Sequence, residues 1–358
     1  MVLPAGATIG ILGGGQLGRM LASAATGLGF DVHIYCPDAD CPAGRVAARL
    51  WQHGYDDTAA LADFARACDV VTVEFENVPV AAADAVISAG TPFHPGPKAL
   101  AVAQDRATEK KFLQSCGIEC APWVTVDSLD DLASAHRELG PDAILKTRRD
   151  GYDGKGQVRL SANSDLSAAW DDVGNHPCVL EGFVPFELEI SAIVARRADG
   201  AFAGWSPSLN IHETGILRRS VTPAPVDQSV RDDARDLAIR LASALDYVGV
   251  LALELFVLPG GDLLANEFAP RVHNSGHWTP EACATGQFET HIRAIAGWPL
   301  GDTARLFNAE MVNLLGDEAL IDPIELRDGV SLTLYGKREA RPGRKMGHTV
   351  RRLGPAGD

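Results

Sequence analysis

The sequence predicts an α/β fold for the N-terminal part of the chain and an α+β fold for the remainder. In the first part, β-rich runs alternate with helical stretches, which is typical of βαβ units around a mostly parallel sheet. From Ala143 onward, strands are separated by glycine loops, and a long amphipathic helix leads into a hairpin with a Pro-Gly-Gly-Asp turn. A further strand-like run, SLTLYG, and the basic residues after it predict a small third unit.

The first predicted strand is ATIGIL, followed by the turn GGGQLG and a helix that ends near Gly29. One face of that helix carries the apolar residues Leu17, Met20, Leu21, Ala24 and Leu28. The runs DVHIYC and DVVTVEFE are the next strands, separated by the helical stretch TAALADFARAC. The turn-rich segment PFHPGPKAL predicts a domain boundary near residue 100.

The second part begins with a predicted helix, QDRATEKKFLQSCG. The predicted strands after it are AILKT, GQVRL, CVLEGFV and ELEISAIVARR, and polar and apolar residues alternate along the last of them. The amphipathic helix runs from Val230 to Tyr247 and precedes the hairpin. This order of elements indicates a second domain with more antiparallel pairing than the first.

Composition limits the functional classes. The chain has 358 residues, 46% hydrophobic and 22% charged, as expected of a globular protein. No apolar run approaches the roughly 20 residues that span a bilayer, and the start of the chain lacks the basic segment of a signal peptide, so we expect a cytoplasmic protein with no membrane partner. A net charge of −15 argues against a general nucleic-acid binder. The seven scattered cysteines are expected to be reduced and structural.

The first glycine motif, Gly13 to Gly18, fits GxGxxG between a strand and a helix. Backbone N–H groups at such a helix start favour an anion. Asp38 follows the second strand, where a dinucleotide site would have its acidic residue, so a nicotinamide-dependent oxidoreductase is one hypothesis. Another phosphate ligand, or a tight turn that binds nothing, fits the motif equally well.

A second glycine loop, Gly151 to Gln157, lies between two predicted strands and follows Lys146. It is not a Walker A loop, because Lys155 is followed by Gly156 and a strand. Glycines at a hairpin tip allow the backbone to close over phosphates, and the two lysines would balance their charge. The alternative is a plain surface hairpin.

Glu254 and Glu267 lie on either side of the Pro-Gly-Gly-Asp turn. A turn centred between Gly260 and Gly261 places the two carboxylates opposite each other, where they repel unless a cation intervenes. Mg²⁺ held by one or two carboxylates and substrate phosphates would supply that cation. The alternatives are one exposed glutamate, or a bulge that shifts the register.

The segment from Asn266 to Thr279 concentrates polar groups. Within it, Arg271 is suited to an oxyanion, and His273 with Asn274 to orienting or exchanging protons with a small acid. His277 and Trp278 are equally well interpreted as structural residues.

Several motifs together resemble those of the N5-carboxyaminoimidazole ribonucleotide synthetase family of ATP-grasp enzymes. They occur in order over nearly the whole chain: GGGQLGRM, EFENVP, DR, GYDGKGQ, EGFV, LNIHETGILRRS, NEFAPRVHNSGHWT and RPGRKMGH. Ala269 stands where many other ATP-grasp enzymes have Asn, which points to this branch. The resemblance implies an ATP-grasp fold with a Rossmann-like substrate domain at 1–100, an ATP-grasp domain at 101–296 and a small β-rich domain at 297–358.

The resemblance also implies an activity in purine biosynthesis. ATP and bicarbonate would give carboxyphosphate, whose carboxyl group is captured by the amine of 5-aminoimidazole ribonucleotide, with ADP and phosphate released. The implied partners are these substrates and a second copy of the chain in a homodimer. Another ATP-grasp ligase using a different acid, such as formate, is a nearby alternative, and a non-catalytic anion-binding protein a more distant one.

The resemblance assigns roles to individual residues. Those implied for ATP are Arg106, Lys146, Gly151, Tyr152, Asp153, Gly154, Lys155, Gly156, Gln157, Glu181, Gly182, Phe183, Val184, Glu189, His212, Asn266 and Glu267. Glu254 and Glu267 would hold Mg²⁺. Those implied for bicarbonate and carboxyphosphate are Arg271, His273 and Asn274. Those implied for the ribonucleotide are Gln16, Leu17, Glu76, Tyr152, Asp153, Arg271, Lys337 and Arg344.

Overall fold

The computed structural model describes residues 2–151, 154–321, 326 and 328–356. The N-terminal sheet is parallel, as predicted, with strand order β3-β2-β1-β4-β5. Its strands are β1 (Thr8–Leu12), β2 (Asp31–Tyr35), β3 (Arg49–Trp51), β4 (Val70–Val73) and β5 (Phe93–His94). The helices of this part are α1 (Gln16–Gly27), α2 (Thr58–Arg66), α3 (Val80–Ser88) and α4 (Pro97–Ala103).

Both faces of this sheet are covered, as parallel sheets require. Ile9 and Ile11 lie in one apolar core with α1. Leu12 and Val73 lie in another with α2 and α3. Strand β4 ends at Val73, three residues before the end of the predicted run, because the next residue, Glu74, turns toward the start of α1.

A second, antiparallel sheet has the order β6-β9-β7-β8. Its strands are β6 (Trp123–Val126), β7 (Ala143–Thr147), β8 (Gln157–Leu160) and β9 (Cys178–Gly182). Helix α5 (Arg106–Ser115) precedes it, and α6 (Leu129–Leu139) and α7 (Leu166–Asp172) supply buried side chains to its core. The loop from 151 to 157 joins β7 to β8, as predicted.

The largest sheet has the order β15-β14-β10-β12-β13-β16-β18-β17, with β11 paired to β10. Its strands are β10 (Leu188–Arg196), β11 (Phe202–Gly204), β12 (Ser208–Glu213), β13 (Ile216–Thr222), β14 (Gly249–Val257), β15 (Leu263–Ala269), β16 (Phe307–Leu315), β17 (Val330–Leu334) and β18 (Lys345–Pro355). Helices α8 (Gln228–Ala244), α9 (Thr279–Ala282) and α10 (Gln287–Ile295) complete the fold. The C-terminal strands therefore extend this sheet through the β13–β16 pair.

Alternating polar and apolar residues in β10 predict a strand with one face toward solvent. This prediction is wrong, because every residue from 190 to 195 is buried. Ile190, Ala192 and Val194 pack in one core with α8. Ile193 and Ala195 face a second core that includes α10 and α1. A strand covered on both faces has no solvent side on which polar residues are favoured.

The β14–β15 hairpin pairs Glu254 with Glu267, as predicted, but the turn differs from the one assumed. Val257 pairs with Leu263, and Leu258 N–H donates to the Asp262 carbonyl at 2.8 Å, so the turn is centred on Gly260. The register shifts between Glu254 and Leu255, where Asn266 is the extra residue of a bulge. The bulge restores the pairing that the turn alone would have displaced.

Candidate active site

The two antiparallel sheets meet at a cluster of charged side chains. Lys146 on β7 donates to Asn266 Oδ1 on β15 at 3.4 Å. Arg106, the first residue of α5, donates to Glu267 Oε2 at 2.7 Å. Residues predicted for one nucleotide site are thus brought together from three separate elements.

Glu181 on β9 neutralises two lysines. Its Oε2 accepts a hydrogen bond from Lys146 Nζ at 2.9 Å, and its Oε1 lies 3.0 Å from Lys110 Nζ. Burial opposes ionisation of Glu181, but Lys146 and then Lys110 outweigh it and lower its pKa to about 2. The carboxylate is therefore ionised, and the Lys146 ammonium is held at the cleft.

Lys110 was not predicted as a site residue. It is fully buried on α5, on the same helical face as Ala107 and Leu113. A lysine at three-residue spacing within an apolar stripe was the available signal, since a buried lysine needs a partner.

The facing carboxylates each have a basic side chain as a partner. Glu254 Oε1 lies 3.0 Å from His273 Nε2, and Glu267 is bonded to Arg106. Desolvation opposes ionisation of Glu267, yet Arg106 and then Lys146 lower its pKa to about 2. Both groups present carboxylate oxygens to one point on the sheet, which is the donor type that Mg²⁺ prefers.

The protein supplies few ligands at this point. Across the part of the chain that the structure describes, no three His, Cys, Asp or Glu side chains converge as a metal cluster. Two carboxylates, with phosphate oxygens and water completing the shell, fit a Mg²⁺ that is bound together with a nucleotide and not in an all-protein cage.

Glu109 lies behind this pair and was also missed. Its Oε1 accepts the Phe268 N–H at 2.7 Å, one residue from Glu267. Burial, followed by the charge of Glu267, raises the pKa of Glu109 to about 8. It fixes the backbone of β15 beside the carboxylate pair.

Glu189 and His212 are paired directly, across β10 and β12. Burial disfavours the imidazolium of His212, but the hydrogen bond to Glu189 outweighs it and raises the pKa of His212. The 151–157 loop approaches the turn after β12: a β-carbon on Gly154 would lie 3.1 Å from Gly215 Cα. The predicted residues Tyr152 and Asp153 lie outside the described residues.

The remaining predicted nucleotide residues follow β9. Phe183 N–H donates to the Asp142 carbonyl at 3.0 Å, and its side chain is 40% exposed. Val184 is buried. The guanidinium carbon of Arg159 lies 4.5 Å from the centroid of the Phe183 ring.

Arg271 joins the N-terminal part of the molecule to the large sheet. It donates to both carboxylate oxygens of Glu76, one of them at 2.8 Å. Burial opposes ionisation of both groups. Even so, Arg271 lowers the pKa of Glu76, and Glu76 raises that of Arg271. Glu76, predicted for the ribonucleotide, and Arg271, predicted for both the ribonucleotide and bicarbonate, are thus direct partners.

His273 and Asn274 are held by polar contacts that sequence reasoning missed. The backbone N–H of His273 donates to Gln287 Oε1 at 2.9 Å. Asn274 and Asn313 exchange two amide hydrogen bonds, at 3.0 and 2.5 Å. Gln287 and Asn313 are fully buried, so they fix the loop that carries both predicted residues.

His277 and Trp278 are both 1% exposed, consistent with a structural role. The His277 ring lies 4.9 Å from that of His348, and burial, followed by the His348 charge, lowers its pKa well below the usual value. Neither side chain reaches the carboxylate pair through a hydrogen bond that the described residues contain.

The amides of the first glycine loop are occupied by a carboxyl group of the protein itself, that of Glu74, and burial raises the pKa of this group. Glu74 accepts the N–H of Gly15 at 2.7 Å and that of Gly18 at 3.0 Å, at the start of α1. A β-carbon on Gly13 would lie 2.3 Å from Glu74 Cγ, so glycine is required there by this close approach. Gln16 begins α1, and Leu17 is buried beneath it.

These contacts disfavour a dinucleotide at the glycine loop, because the amides that would face a pyrophosphate already donate to Glu74. Asp38 lies three residues beyond β2, and its Oδ1 accepts the Asp40 N–H at 3.0 Å. Glu74 was missed because its role depends on where β4 ends.

The basic residues near the C-terminus lie beside the N-terminal part of the chain. Arg45 donates to the Gly336 carbonyl at 2.6 Å. Next to it, Lys337 donates to the Lys345 carbonyl at 2.7 Å, and Arg344 donates to the Glu339 carbonyl at 3.0 Å. The predicted phosphate residues therefore belong to a loop that contacts the segment after β2.

Comparison with known proteins agrees with this arrangement. The Ribonucleotide synthetase preATP-grasp domain family matches residues 6–104, the ATP-grasp domain family 111–288 and the Phosphoribosylaminoimidazole carboxylase C-terminal domain family 309–351. An N5-carboxyaminoimidazole ribonucleotide synthase from Brucella melitensis is 53% identical over 352 residues, covering 98% of this chain and 97% of the relative.

Solved structures of similar proteins extend over the same length. A crystal structure of the ADP complex of an N5-carboxyaminoimidazole ribonucleotide synthetase is 40% identical, with a TM-score of 0.95 over 98% of this chain and 93% of that one. An N5-carboxyaminoimidazole synthase from Aspergillus clavatus, in complex with ADP and 5-aminoimidazole ribonucleotide, is 29% identical, with a TM-score of 0.90 over 98% and 94%.

Proposed function

Because the chain belongs to the N5-carboxyaminoimidazole ribonucleotide synthase family of ATP-grasp enzymes, we propose that its substrates meet at the Glu254–Glu267 pair. The protein is an ATP-dependent carbon–nitrogen ligase of purine biosynthesis, which converts 5-aminoimidazole ribonucleotide to its N5-carboxy derivative. The observation that carries the proposal is the position of this pair. Arg106, a basic residue predicted to bind ATP, pairs with Glu267 on one side. The loop that carries Arg271 and His273 contacts Glu254 on the other.

In this proposal ATP lies between the two antiparallel sheets. Lys146 and Arg106 face its phosphates, and the loop from 151 to 157 closes over them. Glu189, His212, Asn266 and the linker from Glu181 to Val184 surround the nucleoside. Phosphoryl transfer depends on positioning and charge neutralisation, which these residues provide without covalent participation.

Glu254 and Glu267 are proposed to hold Mg²⁺ against the ATP phosphates. The ion would neutralise charge that develops on the transferring phosphoryl group. Arg106 and His273, which now pair with the two carboxylates, keep them oriented until the metal–nucleotide complex arrives.

Bicarbonate is proposed to bind beside Arg271, His273 and Asn274, and to accept the γ-phosphoryl group to give carboxyphosphate. Arg271 is held by Glu76 at the correct side of the cleft, and the buried Gln287 and Asn313 keep the loop rigid. Carboxyphosphate is short-lived in water, so closure of the glycine loop from 151 to 157 would protect it.

The ribonucleotide is proposed to bind between the first glycine loop and the C-terminal basic loop. Gln16, Leu17 and Glu76 would line this pocket, with Tyr152 and Asp153 at the imidazole. Lys337 and Arg344 would bind its phosphate. The contact of Arg45 with the Gly336 carbonyl supports this placement, because nearby Ala43 donates its N–H to the Gly14 carbonyl of the first glycine loop.

An ADP-release assay with single omissions tests the proposal. We expect release to require both bicarbonate and 5-aminoimidazole ribonucleotide, and to fall to background when either is left out. Formate in place of bicarbonate should not restore release. A rate that is unchanged without bicarbonate would contradict the assignment of the acid substrate.

We also propose a cytoplasmic homodimer with domains at 1–100, 101–296 and 297–358. No helix in the described part of the chain is long and apolar enough to cross a membrane. Light scattering during size-exclusion chromatography tests the dimer, since a mass near 38.0 kDa would indicate a monomer instead.

A further inference from the structure

Two thiols face each other beneath the first glycine loop. Cys36 and Cys41 begin and end a short loop after β2, and they are 7% and 2% exposed. Both sulfurs lie within 2.6 Å of the point where a β-carbon on Gly14 would stand. They therefore cannot be further apart than twice that distance, and they are direct neighbours.

The surroundings make the two thiols unequal. A hydrogen bond from Cys36 is the largest influence on Cys41 and lowers its pKa, against the opposing effect of burial, with a further contribution from the Gly44 N–H. The same hydrogen bond, reinforced by burial, raises the pKa of Cys36. Cys41 is thus the thiol that forms a thiolate, and the thiolate is the form that oxidants attack.

We propose that Cys36 and Cys41 form a reversible redox-modification site, in which hydrogen peroxide oxidises the two thiols to a disulfide. The Cys41 thiolate attacks one peroxide oxygen, which gives a sulfenic acid and a hydroxide that is protonated to water. The Cys36 sulfur then attacks the sulfenic sulfur, and a second water leaves. One peroxide is reduced to two waters, the thiols lose two hydrogen atoms, and a dithiol reverses the change.

The disulfide would act on the ribonucleotide site, and this part of the inference rests on the proposed function. Ala43 N–H donates to the Gly14 carbonyl at 3.0 Å, so the loop that carries the thiols is bonded to the glycine loop. Asp40, between the two cysteines, accepts from Arg45 at 2.6 Å and also pairs with Arg338, beside Lys337. Drawing the sulfurs to bonding distance displaces contacts to both loops.

The consequence is selective for one substrate. The residues proposed for ATP lie on α5 and on the two antiparallel sheets, and none of their contacts described above involves residues 36–41. We expect oxidation to raise KM for 5-aminoimidazole ribonucleotide by roughly tenfold or more, as small displacements of positioning groups do. KM for ATP should be nearly unchanged.

The test uses the full chain, treated with hydrogen peroxide, denatured, alkylated and analysed by mass spectrometry. We expect the oxidised chain to carry two fewer alkyl groups than the reduced chain, the peptides containing Cys36 and Cys41 to be linked, and dithiothreitol to restore both thiols and the original KM. Cys36→Ser and Cys41→Ser should abolish the linkage and the KM change. Cys116 is a half-buried cysteine at the end of α5, and Cys116→Ser is the matched control. This variant should retain both the linkage and the change in KM.

Each outcome decides a separate point. Free, alkylatable Cys36 and Cys41 after peroxide, or oxidation of Cys41 to sulfinic acid without linkage, overturns the modification site. Linkage with an unchanged KM overturns its control of the ribonucleotide site. The proposed function has its own test: if the reduced enzyme shows no bicarbonate-dependent ADP release, that function is refuted. Peptide mapping needs no substrate, so it still decides whether the disulfide forms.

Discussion

Glu181 illustrates how much depends on a single residue of the site. It is the common partner of Lys110 and Lys146, and both lysines are at most 9% exposed in their side chains. Removing one member of a buried charge group leaves the others uncompensated, which costs far more than the group contributes when complete.

We predict that Glu181→Gln lowers the free energy of unfolding by about 3–5 kcal/mol. The exposed Glu138→Gln on α6 is the control and should change it by less than about 0.5 kcal/mol. Urea unfolding at pH 7 measures both. The pKa of Glu181 is depressed to about 2, so its contribution is present above the unfolded value near 4.5 and is lost as pH falls toward 2. Equal stability of the two variants would contradict the role given to this carboxylate.

Glu267→Gln should separate catalysis from folding. The amide oxygen still accepts the Arg106 hydrogen bond, so we expect the thermal midpoint to stay close to that of the unchanged protein. The charge that would hold Mg²⁺ is lost, and kcat should fall by roughly 10²–10³-fold. ADP release and Mg²⁺-dependent ATP binding by calorimetry are the measurements, and a fully active variant would refute the metal assignment.

At the scale of residues, the sequence predicts charged and polar residues that lie in recognisable motifs, but not the distant residues that contact them. The facing of Glu254 and Glu267 was correctly predicted and is confirmed by the strand register. Lys110, Glu74 and Gln287 were missed, because each is defined by a contact with a distant part of the chain. The assigned roles of the predicted site residues remain predictions.

At the scale of elements, the β14–β15 hairpin shows the limit of counting. A turn centred between Gly260 and Gly261 was assumed, whereas the turn is centred on Gly260 and a bulge at Asn266 restores the register. Bulges depend on the strain and contacts of both strands, which turn residues alone do not reveal. The pairing was therefore predicted correctly from an incorrect turn.

The first glycine loop gives a test within one element. A β-carbon on Gly15 would lie 2.7 Å from Glu74 Oε1, whereas one on Gly27, in the last turn of α1, meets nothing within 4 Å. We predict that Gly15→Ala destabilises the protein by about 1–3 kcal/mol and raises KM for the ribonucleotide. Gly27→Ala should stabilise by about 0.5–1 kcal/mol with unchanged KM. Denaturant melts and steady-state kinetics distinguish them, and identical behaviour of the two variants would sink the idea.

At the scale of the whole molecule, a buried histidine joins two domains. His291 on α10 donates to Thr72 Oγ1 on β4 at 2.9 Å and accepts the Val250 N–H of β14 at 3.1 Å. Burial, with a smaller effect of His94, lowers the pKa of His291 to about 3. The neutral ring therefore pins the parallel sheet to the large sheet.

This histidine makes stability depend on pH. Its unfolded pKa is near 6.5, so the unfolded chain binds a proton below that pH and the folded chain does not until about 3. The stability contribution is complete above pH 6.5 and is lost as the pH falls. We predict that the free energy of unfolding of the unchanged protein falls more steeply below pH 6 than that of His291→Gln, by up to about 1.4 kcal/mol per pH unit. Urea melts of both proteins at pH 7.5, 6.0 and 5.0 measure this difference. The raised pKa of Glu109 affects stability in the opposite direction, but it is common to both proteins and cancels in the comparison.

The sequence predicts those parts of the architecture that depend on patterns within a short stretch of the chain. The parallel sheet and the glycine hairpins follow from periodicity and turn residues, as the order of β1, β2 and β4 shows. The joining of β16–β18 to β13, and the burial of β10 on both faces, arise from long-range packing that periodicity does not encode. The proposed domain boundaries remain predictions.

The Glu74 carboxylate has a consequence for the cellular setting of this protein. Cells contain abundant dinucleotides, and a glycine-rich turn before a helix is the feature that such molecules recognise. Here the two amides already donate to a carboxylate of the same chain, at 2.7 and 3.0 Å. An arriving pyrophosphate would find these N–H groups already engaged by Glu74. We therefore expect dinucleotides to bind this loop weakly, although its strand–turn–helix geometry is the one that they recognise in other proteins.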